Sequence, residues 1–178
     1  MPASPSSARK PKRPRLVRWT LGVLAVAVLT IALSSAWFYS QLKRSRPLLD
    51  GHLALPGLSA PVTVARDALG VPTVRAASRP DASRAPGFLH AQERFFQMDL
   101  SRRRASGNLA ALLGEAALDA DRSARIHNFA TLARETFARL PAAHRALLEA
   151  YASGVNAGLA ALDARPFEYI LLRSDPAP

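Results

Sequence analysis

The most informative stretch of this chain runs from Phe88 to Gly114 and reads FLHAQERFFQMDLSRRRASGNLAALLG. In this stretch and in the few residues before it, apolar residues recur at every third or fourth position, which places them on one face of a helix. That face comprises Ala85, Phe88, Ala91, Phe95 and Met98. It is widened by Leu89, Phe96 and Leu100. We therefore predict a helix that is buried on more than one side.

Charged residues and a glycine mark the second half of this helix. Asp99 precedes Arg102 and Arg103 by three and four positions, a spacing at which opposite charges attract on a helix surface. Gly107 follows, and glycine readily takes the left-handed conformation that ends many helices. We predict that the helix ends there.

The start of the helix is less regular. Asp81 can cap it by accepting a hydrogen bond from an amide of the first turn. Pro86 lacks an amide hydrogen, so we expect it within the first helical turns, where that loss costs least.

Two short runs rich in β-branched residues precede the helix, at residues 62–66 and 71–76. They flank an Asp-Ala-Leu-Gly turn, which predicts an antiparallel hairpin. Pro72 cannot donate a ladder hydrogen bond, so the second strand belongs at a sheet edge or begins at Pro72. Residues 43–61 have no helical periodicity and include several prolines and glycines, which predicts a linker or an extended lead-in.

Further helices are predicted after Gly114. One begins at Asp119 or Asp121, and its apolar periodicity continues to Leu140. Pro141 breaks that pattern and is well placed in the first turn of the next helix.

That next helix carries an apolar stripe formed by Leu147, Tyr151, Val155, Leu159 and Leu162. Gly154 and Gly158 lie on nearly the same face, where they permit close approach to a partner helix. The final residues, 166–178, are predicted to be irregular.

The N-terminus resembles an export segment. Residues 1–18 form a basic tail with six Lys or Arg, and residues 19–42 contain no charge. About twenty apolar residues cross the hydrocarbon core of a membrane, and the flanking charges orient the tail towards the cytoplasm. We predict a single-pass signal anchor in a bacterial inner membrane, with the domain on the periplasmic or extracellular side. The alternative is a signal peptide cleaved near Ser34-Ser35-Ala36, which would release the domain into the periplasm.

Composition excludes some function classes. Residues 1–46 hold nine Lys or Arg and no acid, whereas residues 47–178 hold fifteen Arg against thirteen Asp or Glu. The basic character therefore belongs to the flanks of the apolar segment. A nucleic-acid partner is not indicated, because the rest of the sequence has no basic stripe with interleaved aromatic residues. The chain has no cysteine, which excludes disulfides, thiolate metal sites and a cysteine nucleophile.

The chain lacks an evident catalytic constellation. No serine lies in a Gly-x-Ser-x-Gly elbow, and no two of the four histidines have helical metal-ligand spacing. His90 is interpreted as a buried histidine bonded to a backbone carbonyl rather than a base. Glu93 and Asp99 point to different helix faces, and the arginines at 102–104 are interpreted as solvated or bonded to helix-end carbonyls. We predict no catalytic, cofactor-binding or metal-binding residue in this chain.

Four segments, in order, resemble the penicillin amidase (penicillin acylase) family. Residues 66–74, RDALGVPTV, resemble its opening hairpin, where Arg-Asp-x-x-Gly-Val-Pro-His-Ile is typical. Residues 87–99, GFLHAQERFFQMD, are similar to its Gly-Tyr-x-x-Ala-Gln-Asp-Arg-Leu-Phe-Gln-Met-Glu helix. Residues 148–157, LEAYASGVNA, resemble its Tyr-Ala-x-Gly-Val-Asn-Ala helix, and residues 166–169, PFEY, resemble a later stretch.

This resemblance implies an N-terminal-nucleophile hydrolase with an αββα fold. In that family a precursor cuts itself into an α chain and a larger β chain, and the new N-terminal serine of the β chain attacks an amide carbonyl. Its α-amine serves as the base, because an α-amine titrates near neutral pH. The substrates are small N-acyl amides such as β-lactam side-chain amides and acyl-homoserine lactones. A structural calcium ion is possible in the full-length fold.

The chain contains no Gly-Ser dipeptide at which such a precursor could cleave. We therefore expect residues 62–178 to be the N-terminal part of a penicillin amidase-like domain, inactive without the missing β chain. The predicted fold is mostly α with one β-hairpin, preceded by a transmembrane helix. The alternative is a non-catalytic, membrane-tethered helical interaction module or a decayed remnant.

Overall fold

The computed structural model describes residues 15–177, so most of the predicted basic tail 1–18 lies outside the described residues. The chain divides into two units, one that ends at Ser40 and one that begins at Gln41. Helix α1 (Arg15–Arg44) contains the predicted span 19–42. Its apolar stretch, with a mean hydropathy of 2.2, is long enough to cross a membrane, although a signal sequence has the same character.

The second unit contains a two-stranded hairpin followed by helices. In chain order its elements are β1 (Thr63–Arg66), β2 (Pro72–Arg75), α2 (Arg79–Ser106), α3 (Ala110–Leu113), a 3-10 helix (Gly114–Ala117), α4 (Leu118–Ile126), α5 (Phe129–Arg139), α6 (Ala142–Ala160) and α7 (Phe167–Leu171). The described residues are thus mostly helical with one antiparallel hairpin, as the sequence predicts.

Helix α2 is capped at both ends. Ser78 is the N-cap, and its hydroxyl accepts the amide of Asp81 at 3.2 Å. The prediction that Asp81 caps this helix is therefore wrong, because the Asp81 carboxylate is buried and accepts hydrogen bonds from Ser59 instead. At the other end Gly107 takes the left-handed conformation (φ 69°, ψ 42°), which confirms the predicted end.

Helix α2 is interrupted rather than continuous. Arg94 has φ −150° and ψ 31°, outside the helical range, and divides α2 into two segments. Pro86 lies inside the helix, about two turns after Arg79. That position is deeper than predicted, so the missing amide hydrogen falls within the helix.

Helices α2 and α6 cross at backbone contact. A Cβ atom on Gly154 would lie 2.0 Å from the Arg84 carbonyl oxygen, and one on Gly158 would lie 2.3 Å from the Phe88 carbonyl oxygen. Likewise, a Cβ atom on Gly87 of α2 would lie 2.3 Å from the Tyr151 carbonyl oxygen of α6. The prediction that the α6 glycines permit close helix packing is confirmed.

The core lies where α2 meets the end of the chain. Buried Ala91, Phe95, Leu112 and Tyr169 form one cluster. Tyr169 belongs to α7 and is fully buried. The prediction that residues 166–178 are irregular is therefore wrong for residues 167–171, because packing against α2 stabilises a helix too short to show periodicity.

Residues 118–139 form two helices where the sequence predicted one. Asn128, with φ 52°, separates α4 from α5 in a left-handed conformation that asparagine tolerates. Asp121 is buried and accepts the amides of Leu109 (2.7 Å) and Ala110 (2.8 Å). It therefore holds the start of α3 and does not begin a helix of its own.

Strand β1 pairs antiparallel with β2, with Val64 opposite Val74 and Arg66 opposite Pro72. Pro72 is the first residue of its strand and lies in a two-stranded sheet, as predicted. Strand β1 is mostly exposed.

Candidate functional site

The side chains that the sequence singled out lie along α2, beginning beside the hairpin. Arg66 of β1 forms an ion pair with Glu93 of α2 and donates a second hydrogen bond to the Gly70 carbonyl at 3.0 Å. Less than a fifth of each side chain of the pair is exposed. This pair fixes the hairpin against α2, and the sequence did not predict it.

The segment before the hairpin is fastened to the same helix. The Asp81 carboxylate accepts hydrogen bonds from the amide of Ser59 (3.0 Å) and from its hydroxyl. These bonds lower the pKa of Asp81, the hydroxyl contributing most. Arg84 donates to the Pro56 carbonyl (3.2 Å) and to Ser153 of α6 (2.6 Å). Residues 47–61, which lie within the predicted linker 43–61, therefore contact α2 directly, and we name them the strap.

Asp99 is the centre of a buried ionic cluster in the second half of α2. Its Oδ2 accepts the Tyr169 hydroxyl at 2.7 Å and the Arg103 Nε at 2.9 Å. Its Oδ1 accepts an Arg102 Nη2 at 2.8 Å. The Asp99 side chain is fully buried, and both ion pairs have the predicted helical spacing.

Opposing effects set the ionisation of this cluster. Burial of Asp99 raises its pKa, but the hydrogen bonds from Tyr169, Arg102 and Arg103 outweigh burial, and the net pKa is lowered. Burial raises the pKa of Tyr169, and its bond to Asp99 raises it further. Asp99 is therefore a carboxylate and Tyr169 a neutral donor at neutral pH.

His90 and Gln92 are two further polar side chains of the first half of α2. His90 Nδ1 lies 3.0 Å from the Tyr151 hydroxyl of α6 and is only partly buried. The interpretation of His90 as bonded to a backbone carbonyl is therefore wrong. Gln92 is 8% exposed, and its Oε1 is buried without a hydrogen-bond partner.

These contacts form a scaffold that joins one element to another. A general base works best with a pKa near the operating pH, whereas the carboxylates paired with hydroxyls, Asp81 and Asp99, both have lowered pKa values. Within residues 15–177 no group of three or more His, Asp or Glu side chains could hold a metal ion. The described side chains join elements to one another.

Comparison with known proteins identifies a family that shares this segment of the chain. The profile of the penicillin amidase family matches residues 61–178. Penicillin acylase 2 proenzyme of a Pseudomonas species (strain SE83) is 46% identical over 137 residues, which cover 77% of this chain and 18% of that protein. Acyl-homoserine lactone acylase QuiP of Pseudomonas putida is 39% identical over 115 residues, which cover 65% of this chain and 14% of that protein.

A solved structure shares the architecture. The thermostable penicillin G acylase from Alcaligenes faecalis superposes with a TM-score of 0.60 and 33% sequence identity, over 66% of this chain and 65% of that one. The chain spans less than a fifth of the length of the curated relatives named above. The match nevertheless extends through the hairpin and every helix after it. The chain therefore belongs to the penicillin amidase family of amide-hydrolysing acylases.

Proposed function

We propose that residues 62–178 form the N-terminal part of an acylase precursor that hydrolyses linear amide C–N bonds in small N-acyl compounds. One observation carries this proposal: the family match runs through residue 178, yet the matched segment covers only 18% of a proenzyme relative. β-Lactam side-chain amides and acyl-homoserine lactones are the substrate classes that the relatives' names support.

The catalytic groups are proposed to lie in the β chain of the same precursor. The described hydroxyl–carboxylate pairs, Ser59–Asp81 and Tyr169–Asp99, involve carboxylates of lowered pKa that are poor bases. An N-terminal serine supplies its own α-amine, whose pKa of about 8 suits a base at neutral pH. The structural calcium ion that the family resemblance allows is likewise proposed for that part.

The solved relative supports a division into chains. Its matched chain is about as long as this one, since the superposition covers nearly equal shares of both (66% and 65%). The curated relatives are several times longer. A separate chain of this size, derived from a long precursor, fits both observations.

We further propose that α1 anchors the domain on the periplasmic side of the inner membrane. Its apolar stretch is long enough to span the bilayer, and nine positive charges with no acid lie in residues 1–46. Six of these charges precede the uncharged run, which favours a cytoplasmic N-terminus.

The experiment that tests the acylase proposal begins with the coding DNA beyond codon 178. We expect an in-frame continuation with a Gly-Ser junction and, on expression, two chains that release acid from penicillin G or an acyl-homoserine lactone. The 178-residue product is the matched control and is expected to be inactive. Replacing the junction serine with alanine is expected to abolish both cleavage and hydrolysis. An extended product that neither cleaves itself nor hydrolyses any N-acyl amide would overturn the proposal.

A non-catalytic interaction module is the second candidate. It is favoured by the Asp99 cluster, which is completed entirely by residues of this chain. A stop codon directly after codon 178, with a product that melts cooperatively as a monomer, would support that alternative.

A further inference from the structure

The segment that follows the uncharged run combines cations with leucines. Residues 43–49 read KRSRPLL and hold three positive charges and no acid. Leu48 and Leu49 are 50% and 62% exposed. Cations next to exposed apolar side chains are typical of segments that lie at the headgroup boundary of a bilayer. The first residues after the predicted membrane span therefore suit a phospholipid surface.

The loop before α7 is fastened to this segment. Arg44 Nη2 donates a hydrogen bond to the Asp163 carbonyl at 3.2 Å. A cavity of about 300 Å³ is lined jointly by Leu42, Arg46 and Phe167. All of these residues belong to the second unit, and Leu42 is the last residue of the uncharged run. The start of α7 therefore lies next to the point at which the chain leaves the predicted span.

Helix α7 buries one side and exposes the other. Tyr169 is fully buried, whereas Phe167 and Leu171 are 40% and 65% exposed. Residues four positions apart lie on the same face of a helix, so the two exposed side chains form one apolar face. Single exposed apolar residues are ordinary on a protein surface. This face is informative because of its position beside the end of the span.

The charge around this face complements lipid phosphates. Residues 43–49 and 161–175 together hold five Lys or Arg against three acids. Arg44, Arg46 and Arg173 are exposed, and a guanidinium group binds phosphate through paired N–H donors. An anionic bilayer therefore attracts the residues around α7.

We propose that the apolar face of α7, Phe167 and Leu171, rests on the phospholipid surface of the membrane that α1 crosses. Its side chains enter the headgroup boundary, and the neighbouring Arg44 and Arg46 bind lipid phosphates. The domain is then docked with one side towards the bilayer and does not swing on a free tether. This inference rests on the proposed anchoring by α1 and does not depend on amide hydrolysis.

Lipid quenching tests the contact directly. The chain has no cysteine, so Leu171→Cys carries a unique fluorescent label. The labelled full chain is reconstituted in phosphatidylethanolamine and phosphatidylglycerol vesicles that contain lipids with a nitroxide near the headgroup. The matched control is Leu132→Cys, because Leu132 of α5 is also an exposed helical leucine (51%). We expect at least about threefold stronger quenching at residue 171 than at residue 132, because a label at the headgroup boundary touches the quencher. Equal quenching would overturn the proposal.

Charge substitution supplies a second test with the label at residue 171. Arg46→Gln removes a cation, and Arg46→Lys keeps it. Arg139→Gln is the control, because the side chain of Arg139 is 81% exposed on α5. We expect Arg46→Gln to lower the ratio of docked to undocked label about fivefold, and the other two variants to leave it nearly unchanged. An equal loss with Arg139→Gln, or no loss with Arg46→Gln, would overturn the proposal.

Separate readouts distinguish this inference from the proposals beside it. Alkaline extraction reports anchoring, and release of the chain into the soluble fraction would overturn both the anchor and the docked face. A chain that is retained but not quenched at residue 171 would overturn the docked face and leave the anchor intact. Quenching that is lost in the product of the extended reading frame would assign the face to the downstream part and overturn the proposal. Hydrolysis of an N-acyl amide by that product tests the acylase proposal independently of either readout.

Discussion

The two ends of the α2 scaffold differ in how far this chain completes them. Around Asp99 both carboxylate oxygens accept hydrogen bonds from residues of the same chain, and the side chain is fully buried. Around the hairpin neither outer edge is paired with a further strand among the described residues, and Leu69 at its tip is 89% exposed. We name the first region the closed end and the second the open end.

This difference shows that the described residues complete the contacts around Asp99 by themselves and leave the hairpin edges unpaired. The closed end holds α2 and α7 together through Asp99 and Tyr169, and the α2–α6 crossing continues the same core. The open end supplies backbone donors and apolar side chains that the described residues leave uncovered. Substitutions at the two ends are therefore expected to have unequal effects on the 178-residue chain.

Asp99→Ala affects the closed end most strongly. It leaves the Tyr169 hydroxyl and the guanidinium of Arg103, whose side chain is 16% exposed, without their shared acceptor. Removing one partner of a buried ion pair costs roughly 3–5 kcal/mol, so we expect the free energy of unfolding to fall by about 4 kcal/mol. Urea unfolding in detergent micelles, followed by circular dichroism, measures this loss.

Asp119→Ala is the matched control for that substitution. Asp119 pairs with Arg122 at the same helical spacing as Asp99 and Arg102, but its side chain is 94% exposed. Exposed pairs contribute less than about 1 kcal/mol. Similar losses for the two variants would remove the distinction between a closed and an open region.

Gly154→Ala tests the α2–α6 crossing. The added Cβ would lie 2.0 Å from the Arg84 carbonyl oxygen, so the helices must separate. We expect a loss of about 2 kcal/mol in the same urea assay. Helix propensity alone predicts a gain of about 1 kcal/mol, so the sign decides. Ala152→Gly, at an exposed position of α6, is the control and is expected to cost about 1 kcal/mol.

Acid is expected to weaken the closed end selectively. The pKa of Asp99 is lowered in the folded chain, whereas an unfolded aspartate has a pKa of about 3.9. The contribution of Asp99 is therefore complete above that value and is lost as the pH falls through the folded pKa. The unfolding free energy is therefore expected to decline as the pH falls from about 5 to about 2. Asp99→Asn is expected to make this decline shallower, because the variant has no carboxylate to protonate at position 99. An unchanged slope would contradict the assignment. The pKa of Asp81 is also lowered, so Asp81 contributes to the decline in the same direction in the unsubstituted chain and in the variant.

Leu69→Ser is expected to have the smallest effect. Leu69 is almost fully exposed at the hairpin tip, and exposed substitutions usually change the unfolding free energy by less than about 0.5 kcal/mol. Leu112→Ser, which places a hydroxyl in the core cluster, is the control and is expected to cost several times more. A large loss for Leu69→Ser would show that the open end is covered within this chain.

Sequence reasoning recovered those features that depend on local spacing. The Asp99–Arg102 and Asp99–Arg103 pairs follow from helix geometry, and the end at Gly107 follows from the left-handed conformation that glycine permits. The close approach at Gly154 needed only the absence of a side chain.

Features that depend on distant residues were missed. Tyr169 lies in a helix of five residues, which is too short for a periodic pattern. Its burial depends on contacts with two distant residues, the hydrogen bond to Asp99 and the ring contact with Phe95. The interruption at Arg94 has no glycine or proline next to it in the sequence. The strap is held to α2 by hydrogen bonds between residues more than twenty positions apart, which composition does not show, so composition alone indicated a linker.

The site predictions follow the same division. Arg102 and Arg103 both pair with Asp99 at the predicted helical spacing, whereas the interpretation of them as solvated or bonded to helix-end carbonyls applies only to the half-exposed side chain of Arg102 (51%). The Arg66–Glu93 pair joins residues 27 positions apart, and no helical or strand period links them. The prediction that catalytic residues are absent from this chain remains a prediction for the full precursor to test.

Pro72 has a consequence for the direction in which a sheet can grow. A hairpin with two complete edges can recruit strands on both sides and so lie in the middle of an extended sheet, the arrangement through which exposed sheets aggregate. With a proline in β2, the edge of that strand lacks a donor, and further strands can add only beside β1. The hairpin can therefore end a sheet but cannot continue it in both directions.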